Sequence, residues 1–129
     1  MDSRRICVVI EDDNDIRDLI DLILSAEGFE VHSFETATEG LMAAERLNPA
    51  LITLDVGLPD MDGREAAGLI AAVCPAPILM ITAFAEHDDE LHGIASGASA
   101  YLTKPFRPRE LREAALALAP RELLAAPRS

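Results

Sequence analysis

Basic side chains are scarce in this sequence. Only 11 Lys and Arg stand against 23 Asp and Glu, a formal charge of −12, which argues against sequence-independent nucleic-acid binding, since that requires a cationic surface to displace counterions. Long apolar runs are also missing. Each is far shorter than the roughly 20 residues of a membrane span, and the start MDSRR leads into ICVVI with no cleavable leader pattern. The expected location is therefore the cytoplasm. Cysteine is rare: Cys7, in an expected strand, and Cys74, at an expected helix end, lack ligand-like spacing and read as reduced packing residues. No repeat at a solenoid period is present.

What remains is an ordinary globular composition, half hydrophobic and about a quarter charged. A length of 129 residues suits one domain with its own core. The charge is unevenly spread. Residues 1 to 60 carry 14 acids and 4 bases, net −10, whereas residues 104 to 129 carry 6 bases and 3 acids, net +3. The basic end of the chain is either a solvated surface or a partner-binding face.

Short apolar runs, ICVVI (6 to 10), ALITL (50 to 54) and PILMI (77 to 81), are rich in branched residues and do not alternate, as expected of strands covered on both faces. FEVHSF (29 to 34) and AYLT (100 to 103) are weaker strand candidates. Helical spacing separates them. Ile16, Leu19, Ile20 and Ile23 mark a first helix that Gly28 stops, and Thr36 with Glu39 caps a second that Asn48-Pro49 breaks. Ala66, Leu69, Ile70 and Val73 mark a third; Leu91, Ile94 and Ala95 mark a fourth that Gly97 should end; Leu111, Ala114, Ala115 and Leu118 mark a fifth, entered at Pro108. Strand and helix alternate five times. That order implies right-handed crossovers and a parallel sheet between layers of helices.

In such sheets ligands bind beyond the carboxyl ends of the strands. Glu11, Asp12 and Asp13 follow the first strand, Asp55 ends the third, Thr82 the fourth, and Lys104 follows the fifth. Taken singly, each has an ordinary explanation: a helix-capping loop, a turn aspartate, a strand threonine, a salt-bridging lysine. Their joint placement at one end of the sheet does not. Converging carboxylates repel one another unless a cation neutralises them, and an all-oxygen set without His or Cys favours Mg2+ over zinc. Lys104 is the single lysine among ten arginines. Its slender ammonium reaches into a small site where a planar guanidinium would not fit the same way.

Four segments, VVIEDDNDIR, LDVGLPDMDG, ITA and AYLTKPF, stand in order at these strand ends, and over residues 5 to about 119 the sequence resembles the receiver domain of bacterial two-component response regulators. The resemblance implies a flavodoxin-like doubly wound α/β fold: a five-stranded parallel sheet in order 2-1-3-4-5 with five helices. Residues 1–119 would form the domain and 120–129 a tail or the start of a linker. It also implies Mg2+-dependent phosphorylation of Asp55 by a histidine kinase or histidine phosphotransfer protein. Asp12 and Asp55 would bind the metal directly, Glu11 mainly through water, and Gly57 through its backbone carbonyl. Thr82 and Lys104 would contact the phosphoryl oxygens, and the Lys104-Pro105 bond would be cis. Thr82 and Tyr101 would form the switch, altering the surface of the fourth helix, fifth strand and fifth helix. Gly57 and Phe84 would tune the phosphoryl lifetime. The chain would thus be a phosphoacceptor signalling domain and not an enzyme, any catalysis being confined to its own phosphorylation and dephosphorylation. It would pass the signal to a downstream protein or output domain, as a monomer or weak phosphorylation-dependent dimer, without itself binding nucleic acid or membrane. Ser99-Ala100 replaces the two aspartates found there in many receivers joined to winged-helix domains, which weakens the case for dimerisation through that face.

Competing readings exist. A magnesium-dependent phosphatase with an aspartyl nucleophile usually needs a second acid two residues on, where Gly57 stands. Flavin binding lacks a phosphate-cradling loop after the first strand. A phosphorylation-independent interaction module would not need the full set Glu11, Asp12, Asp55, Thr82 and Lys104.

Overall fold

A computed structural model describes residues 5–83 and 97–120. Along the chain the elements are β1 (Arg5–Ile10), α1 (Asn14–Ala26), β2 (Phe29–Phe34), α2 (Ala37–Leu47), β3 (Leu51–Asp55), α3 (Gly63–Val73), β4 (Ile78–Thr82), β5 (Ala100–Thr103) and α4 (Pro108–Leu118). The strands form one sheet in the order β2-β1-β3-β4-β5, every pair parallel. Five helices were expected and the described residues hold four; the helix expected around Leu91 to Ala95 lies outside them. The fifth expected helix is α4.

The apolar runs separate by parity. Val8, Ile10, Ile52, Leu54, Ile78 and Met80 pack with Ala43 and Ala44 of α2 and Ala66, Ala67 and Ile70 of α3. Their neighbours Cys7, Val9, Leu51, Leu79 and Ile81 point the other way, onto Ile20, Ile23 and Leu24 of α1 and Leu111 and Ala115 of α4. Alternation of side chains across a strand therefore builds two cores from one sheet. Each fully buried Ile or Leu contributes on the order of 1.5–3 kcal/mol. Burial, with the charge of Asp21 adding, pushes the Cys7 thiol well above its ordinary range, and Cys7 and Cys74 are both buried and unpaired.

The expected stop signals act as local chemistry requires. Gly28 takes φ +96 after α1 and Asn48 takes φ 54 after α2, the left-handed conformation that ends a helix. Thr36 Oγ1 accepts from Glu39 N at 3.2 Å. At the far end of the sheet the Arg5 guanidinium lies 4.2 Å over the Phe29 ring and donates to the carbonyls of Ala119 and, at 2.9 Å, Pro120. This fastens β1 to the carboxyl end of α4, where backbone acceptors are unsatisfied by the helix itself.

The apolar stripe of α3 differs from expectation. Ala66 and Ile70 are buried as read, but Leu69 and Val73 are exposed, and Gly63 and Ala67 face the core instead. Small residues carry that packing. α1 shows a lesser shift: Leu24 is buried and Leu19 is on the exposed side.

Candidate metal and functional site

β1 and β3 are adjacent, while β2 and β4 lie on opposite sides of that pair. Here the strand order reverses, so the loops leaving β1 and β3 diverge and open a crevice at their carboxyl ends. Glu11 enters it directly after β1, its backbone N–H fixed at 3.0 Å by the Phe34 carbonyl. Asp55 enters it as the last residue of β3, whose five residues are all buried. Asp12 completes the group from the rim. Glu11, Asp12 and Asp55 each offer a carboxylate oxygen within 4.8 Å of the others. Asp13, in contrast, turns away and caps α1, its Oδ1 accepting from Ile16 N at 3.1 Å. The ordinary explanation for the acidic run thus holds for Asp13 and not for its two predecessors.

Lys104 comes in from the far side. Its backbone N–H donates to Thr82 O at 2.7 Å, which anchors the loop after β5 to the end of β4, and the Lys104-Pro105 bond is cis. The ammonium donates to Glu11 Oε2 at 3.3 Å, lies 3.1 Å from Glu11 Oε1 and stands 3.4 Å from Asp55 Oδ1. One cation therefore faces two buried carboxylates. Burial, and then the charge of Asp55, raise the Glu11 carboxyl to about 7 despite Lys104 and the Asp13 N–H, which act to lower it. Burial disfavours the Lys104 ammonium, but Asp55 and Glu11 outweigh that and hold its pKa above the usual lysine range.

The donor set fits a hard divalent cation. All three groups are carboxylates, and Glu11 Oε1 is buried without a properly directed hydrogen bond although Lys104 is close. An orphaned buried oxygen beside a second carboxylate is the kind of defect that a bound Mg2+, itself or through one of its waters, would relieve. Gly57 is exposed, its N–H donates to Asp55 Oδ1 at 3.3 Å, and an added Cβ there would meet nothing within 4 Å.

Thr82 is fully buried at the end of β4, and Asp55 is paired in register with Ile81 just before it. Tyr101 is half-buried in β5 opposite Met80, on the same sheet face as Thr82, and packs against the α2/α3 core. Phe84 lies outside the described residues. The structure therefore brings Glu11, Asp12, Asp55, Gly57, Thr82 and Lys104 to one end of the sheet.

Two neighbours were not anticipated. Arg17 Nη1 donates to Glu11 O at 2.9 Å, and its Nη2 lies 3.6 Å from Glu35 Oε2, so the guanidinium ties the loop after β1 to the loop after β2. Asp60 accepts from Ala37 N and Thr38 N, each at 2.9 Å, and from Thr38 Oγ1 at 2.7 Å. The Thr38 hydroxyl and then the Ala37 N–H hold the Asp60 carboxyl below the usual aspartate range. Arg17 carries a helical-face signal at best, and Asp60 none, since its partners lie more than 20 residues away in sequence.

A family model described as the response regulator receiver domain matches residues 7–116. The chain is 35% identical over 108 residues to the DNA-binding response regulator MtrA of Mycobacterium leprae, covering 84% of this chain and 48% of that protein. It is 38% identical over 104 residues to the transcriptional regulatory protein SrrA of Staphylococcus aureus, covering 81% of this chain and 43% of that one. The chain thus spans about half the length of the curated relatives it matches. Among solved structures, a CheY-like response regulator receiver domain protein from Methanospirillum hungatei is 34% identical with a TM-score of 0.82, over 87% of this chain and 90% of that one.

Proposed function

The chain belongs to the response regulator receiver family, and from that premise we propose that Asp55 is its phosphoacceptor. The observation that carries this reading is Asp55 itself: a carboxylate at the end of a fully buried strand, 3.4 Å from the only lysine and grouped with Glu11 and Asp12. Receivers of this family are signalling domains that switch on phosphorylation, and the phosphorylation-independent alternative is not favoured.

Phosphoryl transfer requires positioning and neutralisation of charge more than covalent assistance. An Asp55 carboxylate oxygen attacks the phosphorus of a phosphohistidine on a histidine kinase or histidine phosphotransfer protein; an O–P bond forms, the N–P bond breaks, and its electron pair leaves with the imidazole. β3 holds the nucleophile still, so little orientational freedom is lost on the way to the transition state. Lys104 faces the charge that develops on the phosphoryl oxygens, and the Thr82 hydroxyl donates to one of them. Glu11, Asp12, Asp55 and the Gly57 carbonyl would hold Mg2+. When bound, that ion neutralises the carboxylates and the incoming phosphoryl charge. Reduction of the phosphorylated protein with borohydride, which converts an aspartyl phosphate to homoserine, tests the assignment by peptide mapping. Homoserine is expected at position 55, and homoserine at any other aspartate would overturn it.

The shared sheet face of Thr82 and Tyr101 supports a switch built on this pair. As Thr82 is drawn to the phosphoryl group, Tyr101 turns inward, and the surface formed by β5 and α4 changes; this is a population shift biased by a local charge. Coupling of this kind is typically about 5- to 150-fold in affinity. Amide exchange in residues 100 to 118 is expected to change on phosphorylation in the wild type and to stay unchanged in Tyr101→Ala, with Asp55 still phosphorylated. Identical changes in both proteins would remove Tyr101 from the switch.

Gly57 and Phe84, each two residues past a site residue in sequence, are the positions proposed to tune the lifetime of the acyl phosphate. Phe84→Ala or Phe84→Glu is expected to change the phosphoryl half-life by about 3- to 10-fold, a transition-state difference near 1 kcal/mol. Equal decay of wild type and variants would show that residue 84 does not tune it. No described helix is long and apolar enough to cross a membrane. A cytoplasmic setting, a kinase donor and a downstream protein or output domain as receiver of the signal complete the proposal.

A further inference from the structure

We propose that Asp60 is a positioning residue that sets the metal affinity of the site by holding the loop 56–62 against α2. This rests on the reading that the Gly57 carbonyl is a metal ligand. The loop is closed at its base by the backbone pairing of Gly57 with Asp62 and by Gly63 N donating to Val56 O at 2.8 Å. Its two aspartates then face different helices. Asp62 caps α3, the helix it leads into, accepting from Arg64 N at 2.7 Å. Asp60 instead caps α2, through Ala37 N, Thr38 N and Thr38 Oγ1.

α2 depends on this arrangement. Its own cap, Thr36, serves only Glu39 N, so the Ala37 and Thr38 N–H groups, which have no acceptor within the helix, are met by Asp60 from another loop. The bond is reciprocal. A carboxylate held by three donors on a helix that packs on β1 cannot drift, and the segment from Gly57 to Asp60 is pinned at both ends. Leu58, buried in the α2/α3 core, adds a third anchor between them. Asp60 is exposed and takes no part in the carboxylate group at the sheet end, so its effect on the site is mechanical, through the placement of the Gly57 carbonyl.

The test is a calorimetric Mg2+ titration of wild type, Asp60→Ala and Asp60→Asn, with thermal unfolding of each. Groups that hydrogen-bond a metal ligand directly are worth about 10- to 100-fold in affinity. Asp60 acts one step further out, so Asp60→Ala is expected to bind Mg2+ about 3- to 10-fold more weakly and Asp60→Asn, which keeps one acceptor oxygen, to fall between. The ratio is expected to persist in 1 M KCl, where the screening length is about 3 Å. A lower unfolding midpoint with unchanged Mg2+ affinity would make Asp60 a helix cap and nothing more, and so overturn the proposal. A ratio that vanishes in 1 M KCl would overturn it in favour of simple charge attraction. Failure of the wild type to take up Mg2+ would bring down the reading of the site itself, an outcome visible without either variant.

Discussion

Lys104→Met is expected to slow phosphorylation of Asp55 about 10- to 100-fold, somewhat less than the ~10²–10³ typical when one preorganised donor is lost from a closed active site. The discount follows from geometry: the Lys104 side chain is 16% exposed, so water partly replaces it. The same change should alter the metal-free protein. Burial and Asp55 already raise Glu11 from 4.5 to about 7, with Lys104 opposing the rise. A carboxyl whose folded pKa lies above its unfolded one costs stability as pH rises between the two values, because the unfolded chain releases the proton first. Without Lys104 that gap widens. In EDTA the stability deficit of Lys104→Met against wild type should therefore be smaller at pH 5 and grow by pH 8. There it should reach about 1–3 kcal/mol, between the range for exposed pairs and that for a broken buried pair. Urea unfolding at both pH values reads it, and equal deficits would mean that Lys104 does not compensate Glu11.

A single methyl group eight residues past Asp55 should matter as much. In Gly63→Ala the new Cβ would lie 2.4 Å from Val56 Cα and 2.6 Å from Asp55 O. Both are backbone atoms, so no rotamer change relieves the contact. Either the start of α3 moves or β3 loses the placement of its last residue. Overpacking of this kind costs about 1–3 kcal/mol or more, and the helix propensity gained over glycine returns about 1 kcal/mol. A net loss of about 1–2 kcal/mol is expected, together with about 100-fold slower phosphorylation, since a displacement near 1 Å at a reacting group has that effect. Gly57→Ala is the control, because its Cβ meets nothing within 4 Å. Its stability should stay within about 0.5 kcal/mol of wild type. If the two variants unfold at the same urea concentration, the close approach at Gly63 carries no weight.

Much of this is legible in the sequence alone. ICVVI, ALITL and PILMI read as strands because a doubly covered sheet needs contiguous apolar residues, and that pattern survives any choice of neighbours. Glu11, Asp12, Asp55, Thr82 and Lys104 could be placed together because strand direction in such a fold sends every carboxyl end to one edge. Helix faces were harder. Leu69 and Val73 look like core residues by spacing, yet α3 buries Gly63 and Ala67, since a helix lying close to the sheet selects for small side chains on the contact face. Asp60 and Arg17 were invisible for another reason. Each joins loops that are distant in sequence, and no local period or capping signature predicts which loop will supply an acceptor to which helix.

The central claim is that Asp55 takes the phosphoryl group in a site that needs a divalent cation. Intact-mass spectrometry after incubation with acetyl phosphate, with Mg2+ or with EDTA, for wild type and Asp55→Asn, tests it most directly. The account predicts an increase of one phosphoryl mass in the wild type with Mg2+ and no increase in the other three samples. The same adduct on folded Asp55→Asn, or an undiminished adduct in EDTA, would contradict it.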